Sequence, residues 1–372
     1  MFRAFPGSEK VRIPKQRLRI PEGVVEIDGS FGEGGGQIVR TACALAALSG
    51  LTCRVRQIRA GRSHPGLRAQ HCATIRGLAR LCRAETSPLA EGTQEVFFSP
   101  RSGIKGDLEL DTGTAGSVAL VLQGILLAAL GSSAREVKLL LRGGTDVPGA
   151  PSCDYLRRVK SEWLRRMGYT IDLRIVRRGY YPRGGGIIEA TLRPPEGKLL
   201  LPLRVTESTE ALAAGGISHA SHALASRRVA ERQAKAAAKV ITQYLHVPAR
   251  IEVEYGTTSS PGSGLMLWAS TEQTIWGGGA LGRPTVSSEQ VADQASERLL
   301  KTYHCRAALD PWLGDQILPY LALAGASSVV SVPVLTRHMR TNMWVIQQFL
   351  NVRFFCEPQE DRVLVHCGPR DE

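Results

Sequence analysis

The chain has no C-x-x-C pair and no cysteine–histidine spacing of a zinc site; its eight cysteines are scattered. That excludes a structural zinc module and a dithiol redox centre, and it points to free buried thiols in a reducing compartment. No apolar run is long enough to cross a bilayer comfortably: the longest, SVALVLQGILLAALG, is broken by Gln123 and glycine. Residues 1–22 are basic and carry prolines without the apolar stretch of a signal peptide, so they read as an N-terminal extension of a cytoplasmic protein. Aromatic residues are sparse, 6% of the chain, and form no RNP-type motif, so RNA reading through specific bases is not expected. The glycine-rich stretches match neither G-x-G-x-x-G nor a P-loop ending in GK[ST].

Acids are also few relative to bases. With 34 Asp and Glu against 47 Lys and Arg, the net charge is +13, which favours an anionic partner. Nucleic acid fits better than a membrane, because no strongly basic amphipathic helix stands out. At 372 residues and 43% hydrophobic, the chain can bury one large and one small core.

What the chain does have is DGSFGEGGGQIVRTACALAALSG, residues 28–50. A short apolar strand, 24–27, runs through a glycine loop into an amphipathic helix. Exposed amides at a helix start bind anions, phosphate above all. Glu33 places one carboxylate among them, the donor a divalent cation needs, and Arg40 follows within the first turns. Glycines needed only for the turn are the plainer reading of the loop alone. The next segment, CRVRQIRAGRSHPGLRAQH (53–71), ends a strand in a turn holding Arg59, Arg62, His64, Arg68, Gln70 and His71. Guanidinium groups clustered there suit phosphate, although a solvated basic turn would look the same.

Strands and helices alternate throughout, an α/β arrangement of layers. A unit of strand, helix, strand, helix and a strand pair repeats: about 24–100, about 104–193, and a third copy opening near 285 with a helix over 289–303 and closing with strands at 352–356 and 362–366. This gives a large domain over 23–196 and 283–372. Between its parts, 197–282 reads as a small inserted α/β domain, with an alanine- and arginine-rich helix at about 223–245. RRGYYPRGGGIIEA (177–190) reads as a hairpin turn. In SVPVLTRHMRTNMWVIQQFL (331–350), a strand ends near Val334 and a helix runs from about Thr341 to Leu350, with Thr341 or Asn342 as its cap. His338 then sits at a helix mouth beside Arg337 and Arg340, in a positive field that favours a neutral, nucleophilic ring; a structural or exposed histidine is the alternative.

In this order, DGSFGEGGGQIVR, IRAGRSHPGLRAQH, RGGTDVPGAP, RGYYPRGGG and His-x-x-Thr-Asn at 338–342 closely resemble the RNA 3′-terminal phosphate cyclases. The resemblance spans about 24–356. It implies three βαβαββ units with a small α/β insert, and an ATP-dependent closure of RNA 3′-phosphate ends to 2′,3′-cyclic phosphodiesters. The implied route passes through a covalent histidine–AMP and an adenylated RNA end, with Mg²⁺ or Mn²⁺. It implies His338 as the nucleophile, Glu33 at the metal, and Arg40, Arg59, Arg62 and Gln70 on phosphates. Gln123, Pro151 and the run Trp312, Leu313, Gly314, Asp315 and Gln316 would form the nucleotide pocket, with Asp315 and Gln316 nearest the adenosine. Trp312 stands where that family commonly has tyrosine. A cyclase-like ribosome-assembly branch lacks the nucleophile, and the distantly related enolpyruvyl transferases take a small metabolite. His338, Glu33 and the basic block argue against the first; the net charge and the 338–342 segment argue against the second.

Overall fold

The computed structural model describes residues 23–195 and 199–370, so the extension over 1–22 lies outside the described residues. The first unit is β1 (Val25–Asp28), α1 (Gly36–Ser49), β2 (Cys53–Arg56), α2 (Ala69–Cys82), β3 (Glu85–Thr86) and β4 (Val96–Ser99). The second is β5 (Leu108–Asp111), α3 (Val118–Ala129), β6 (Val137–Gly143), α4 (Cys153–Tyr155), a π-turn over Leu156–Lys160, α5 (Ser161–Arg166), β7 (Thr170–Arg177) and β8 (Gly186–Arg193). Then β9 (Arg204–Val205) is followed by β10 (Ala213–Ser221), α6 (Val229–Leu245), β11 (Ala249–Gly256), β12 (Ser263–Ser270), β13 (Ile275–Leu281) and α7 (Ser288–His304). The chain closes with α8 (Pro311–Ala322), β14 (Ser328–Val332), α9 (Arg337–Phe349), β15 (Val352–Pro358) and β16 (Val363–Pro369).

Three sheets share one topology: β1-β2-β4-β3, β5-β6-β8-β7 and β9-β14-β16-β15. In each, the first pair is parallel and the other two are antiparallel. This is the βαβαββ repeat, and it redraws the expected boundaries. β9, placed in the insert by sequence, is the first strand of the third unit, paired with β14. The helix expected to open that unit, α7, instead packs on α6, β12 and β13. The interruption therefore falls inside the first crossover of the third unit, between β9 and α8. The physical reason is that a two-residue strand has no periodicity to read, and an amphipathic helix does not announce which sheet it covers.

Helices of the three units pack on one another, α1 against α2, α3 and α9, and α8 against α9. Their apolar faces form one core. In α3 every residue but Gln123 is buried, as its unbroken apolar sequence requires. The interrupting segment has a second core around Leu265, Leu267, Trp276 and Leu299. No helix among the described residues is long and apolar enough to cross a membrane.

The 177–190 segment is the expected hairpin turn, and it is also a seam. Arg178 donates to Asp154 Oδ2 (2.7 Å) and Asp146 Oδ2 (3.3 Å) of the second unit and to Glu254 Oε2 (2.6 Å) on β11. Tyr180 Oη meets His219 Nδ1 of β10 at 2.7 Å, and Arg183 N donates to Ser260 Oγ at 3.1 Å. Burial opposes ionisation of Asp146, but His219 and Arg178 outweigh it and hold its carboxyl below the usual range. Asp146, Asp154 and His219 offer ligand atoms close enough for a cation, yet Arg178 already supplies the countercharge there.

Candidate active site

A cleft of about 880 Å³ opens where the three units and the interrupting segment meet. On one side stands α9, which begins earlier than the sequence suggested. Thr336, not Thr341 or Asn342, is its N-cap, and its hydroxyl accepts from Met339 N. β14 likewise ends at Val332 rather than near Val334. The segment offers several cap-type residues, and only the strand's true end selects Thr336. His338 thus lies in the first turn of the helix, projecting into the cleft.

The glycine loop runs beside α9. Gly32 has φ +61°, and a Cβ there would lie 2.4 Å from Thr341 Oγ1, so only glycine allows this approach. Thr341 Oγ1 accepts from Glu33 N at 3.1 Å. This fixes Glu33, whose Oε2 lies 2.7 Å from His338 Nδ1. Gln37 Oε1 lies 2.9 Å from the same nitrogen. Two oxygen acceptors at Nδ1 place the ring proton there, and Nε2 keeps its lone pair. Burial lowers the His338 pKa; Arg40 and Arg62 lower it further, and Glu33 opposes them.

The basic turn lines the cleft with guanidinium groups. Arg62 donates to Glu33 Oε1 at 2.6 Å. Arg59, at φ +55°, ties its own turn by donating to His64 O (2.7 Å) and Gly66 O (2.9 Å). Arg40 is half-buried with no acid within ion-pair distance among the described residues, and burial lowers its pKa to about 10. His71 is pushed down to about 2 by burial and by Arg40, Arg59 and Arg68, so it is neutral. A Cβ on Gly36 would fall 2.0 Å from His71 Nε2, so the missing side chain admits the ring. Gln70 lines the cleft, but its Oε1 accepts from Ser117 N (3.1 Å) and ties the first unit to the cap of α3. The N-cap of α1, Gly35, has no side chain to cap it, so the first amides of the helix are open toward the cleft.

At the other end lie Gln123, Pro151, Trp312, Asp315 and Gln316. Gln123 donates to Gln316 at 2.9 Å. Asp315 accepts from Thr336 Oγ1 (2.6 Å), and burial raises its pKa to about 7. Trp312 packs edge-on to Tyr155, whose hydroxyl donates to Asp310, the N-cap of α8. Leu313 and Gly314, expected in this pocket, do not line it. Leu313 is buried in the core, and Gly314 faces Val332 and Met339. Both turn toward the core side of α8 rather than the cleft, a distinction a contiguous motif cannot make.

Sequence reasoning passed over Gln37, Thr336, Tyr155 and Lys160. Gln37 carried a legible signal, one residue after the last glycine at a helix start. Lys160 did not: it is buried, its ammonium lies over the Tyr320 ring at 5.3 Å, and burial lowers its pKa to about 7.

A family model described as RNA 3′-terminal phosphate cyclase matches residues 31–356. Among curated relatives, the RNA 3′-terminal phosphate cyclase of Methanopyrus kandleri is 43% identical over 335 residues, covering 88% of this chain and 94% of that protein. That of Pyrococcus abyssi is 41% identical over 331 residues, covering 89% and 94%. That of Methanosarcina acetivorans is 40% identical over 356 residues, covering 91% and 98%.

Proposed function

Because the chain belongs to the RNA 3′-terminal phosphate cyclase family, enzymes that act on RNA 3′-phosphate ends with ATP, we propose that it closes those ends to 2′,3′-cyclic phosphodiesters through a covalent His338–AMP. One observation carries this reading: Nδ1 of His338 faces Glu33 and Gln37, which leaves the Nε2 lone pair for an electrophile.

In the first step Nε2 bonds to the α-phosphorus of ATP and the bond to the β-phosphate oxygen breaks, releasing pyrophosphate. The imidazole becomes cationic while its Nδ1 proton stays on the Glu33 side, so the carboxylate offsets the new charge. In the second step an oxygen of the RNA 3′-phosphate attacks the same phosphorus and Nε2 leaves neutral. In the third the vicinal 2′-hydroxyl attacks the activated 3′-phosphorus, its proton passes to solvent, and AMP departs. Arg40 of α1 and Arg62 of the basic turn would serve the phosphates as donors, and Arg59 keeps that turn in shape. Gln123, Gln316, Asp315 and Trp312 take the adenosine end, Trp312 as an apolar wall.

Glu33 is the carboxylate that would hold Mg²⁺ or Mn²⁺. Its buried Oε2 has only the shared His338 proton near it, and such ions take one or two carboxylates with substrate phosphates and water. When bound, the ion neutralises charge on the triphosphate.

The test is incubation with α-labelled ATP and a divalent cation, then denaturation. The expected label on protein is acid-labile and alkali-stable, and absent in His338→Ala. Near-normal cyclisation by His338→Ala overturns the covalent route.

A further inference from the structure

The glycine loop carries one large apolar side chain out to solvent. Asp28 Oδ1 accepts from Ser30 N (2.8 Å) and Ser30 Oγ (2.6 Å), closing a side-chain turn at the end of β1. The turn delivers Phe31 against α9. Its ring stacks on Trp344, centroids 4.1 Å apart and planes 18° from parallel. Trp344 is itself half-buried against the main core and supports the pair from below. Phe31 remains 41% exposed. Three successive loop residues thus run antiparallel to two turns of α9: Phe31 on Trp344, Gly32 on Thr341, Glu33 on His338.

An exposed phenylalanine stacked on a tryptophan, two residues from the acid that holds the nucleophile, has no task in the chemistry described above. Burial accounts for only part of it, because the ring stays 41% exposed. The same stretch of α9 presents Arg337 and Arg340, both exposed, with no acid within ion-pair distance among the described residues. An aromatic face flanked by unpaired guanidinium groups matches a single-stranded nucleotide, with base on ring and phosphodiester on arginine.

We infer that Phe31, backed by Trp344, is a stacking platform for the base of the nucleotide that bears the RNA 3′-phosphate. This rests on the proposed acceptor and adds the subsite that holds it. The platform lies on the loop that carries Glu33, so a base stacked there brings its own 3′-phosphate toward His338. It makes no edge contacts, so all four bases are accepted alike, in keeping with the absence of an RNP motif. Arg337 and Arg340 lie where the preceding phosphodiester would pass.

The experiment measures binding of a fluorescein-labelled RNA oligonucleotide ending in a 3′-phosphate, and of the same oligonucleotide with an abasic 3′-terminal ribose, by anisotropy. Cyclisation is read separately, by mass spectrometry. Expected for the native chain is a roughly tenfold weaker Kd for the abasic end. Phe31→Leu should bind the intact end about tenfold more weakly and no longer distinguish the abasic one, with an unchanged unfolding midpoint as control. Phe31→Trp should restore the discrimination. The difference should survive added salt while total affinity falls, because stacking is not ionic. Equal binding of both ends by the native chain, or full discrimination by Phe31→Leu, overturns the platform. Discrimination without cyclisation would leave the platform standing and overturn the acceptor instead.

Discussion

Glu33 Oε2 and His338 Nδ1 lie 2.7 Å apart although they come from opposite ends of the chain. The contact is built by two local structures: a loop whose glycines let it lie against α9, and a helix whose first turn begins at Arg337. It holds the ring proton at Nδ1 and leaves Nε2 of His338 open, which the proposed covalent route requires.

Glu33→Gln should slow enzyme–AMP formation at saturating ATP by a factor on the order of 10²–10⁴, the range for losing the carboxylate that orients a catalytic imidazole. The pH profile should also move. In the proposed route His338 must be neutral to attack, and burial with Arg40 and Arg62 holds its pKa below the ordinary 6.5, while Glu33 alone raises it. The native acid limb is therefore expected below pH 6.5, and in Glu33→Gln lower still. A limb that rises instead would show that another group titrates.

Arg40→Met separates binding from stability. The guanidinium is half-buried with no acid within ion-pair distance among the described residues, so its charge weakens the fold. The variant should unfold at higher denaturant, by roughly 1 kcal/mol, the gain typical of relieving a strained functional site. It should lose about 1–3 kcal/mol of transition-state stabilisation in adenylation. A variant that is less stable and fully active would mean that Arg40 serves the fold.

Arg178→Ala leaves buried Asp146 to His219 and buried Asp154 to Arg157, and should cost about 3–5 kcal/mol in urea unfolding. The double variant with Asp146→Ala should be less destabilised than the two single changes added together. Asp146 has a folded pKa below its unfolded one, so its contribution is present above the unfolded value. It is lost only as pH falls through the folded value, in strong acid.

Asp315→Asn tests a carboxyl of opposite sign. Its folded pKa is raised to about 7, first by burial. The folded state binds the proton more tightly, so the native chain should lose stability as pH rises from about 4 to about 7 and then level off. Asparagine, uncharged, removes that slope. Urea midpoints of both chains at pH 4 and pH 8 provide the measurement, and parallel curves would place the titration elsewhere.

The sequence by itself determined whatever depends on neighbours in the chain. A glycine loop before a helix, a basic turn after a strand and a hairpin at 177–190 are local features, and their residues were legible. So was the repeating order of strands and helices, because periodicity and turn chemistry are short-range. Glu33, Arg40, Arg59, Arg62, Gln123, Asp315, Gln316 and His338 all reach one cleft. What only the tertiary structure decided depends on residues far apart. The pairing of β9 with β14 moved the boundary of the third unit, and α7 went to a different sheet from the one its position suggested. Thr336 rather than Thr341 caps α9, which frees Thr341 to receive Gly32 and Glu33. Arg178 gains its meaning from three acids on two separate parts of the chain. Strand partners, helix faces and ion pairs across the fold are chosen by the burial and electrostatics of the whole assembly, and no window of sequence contains both members of those pairs.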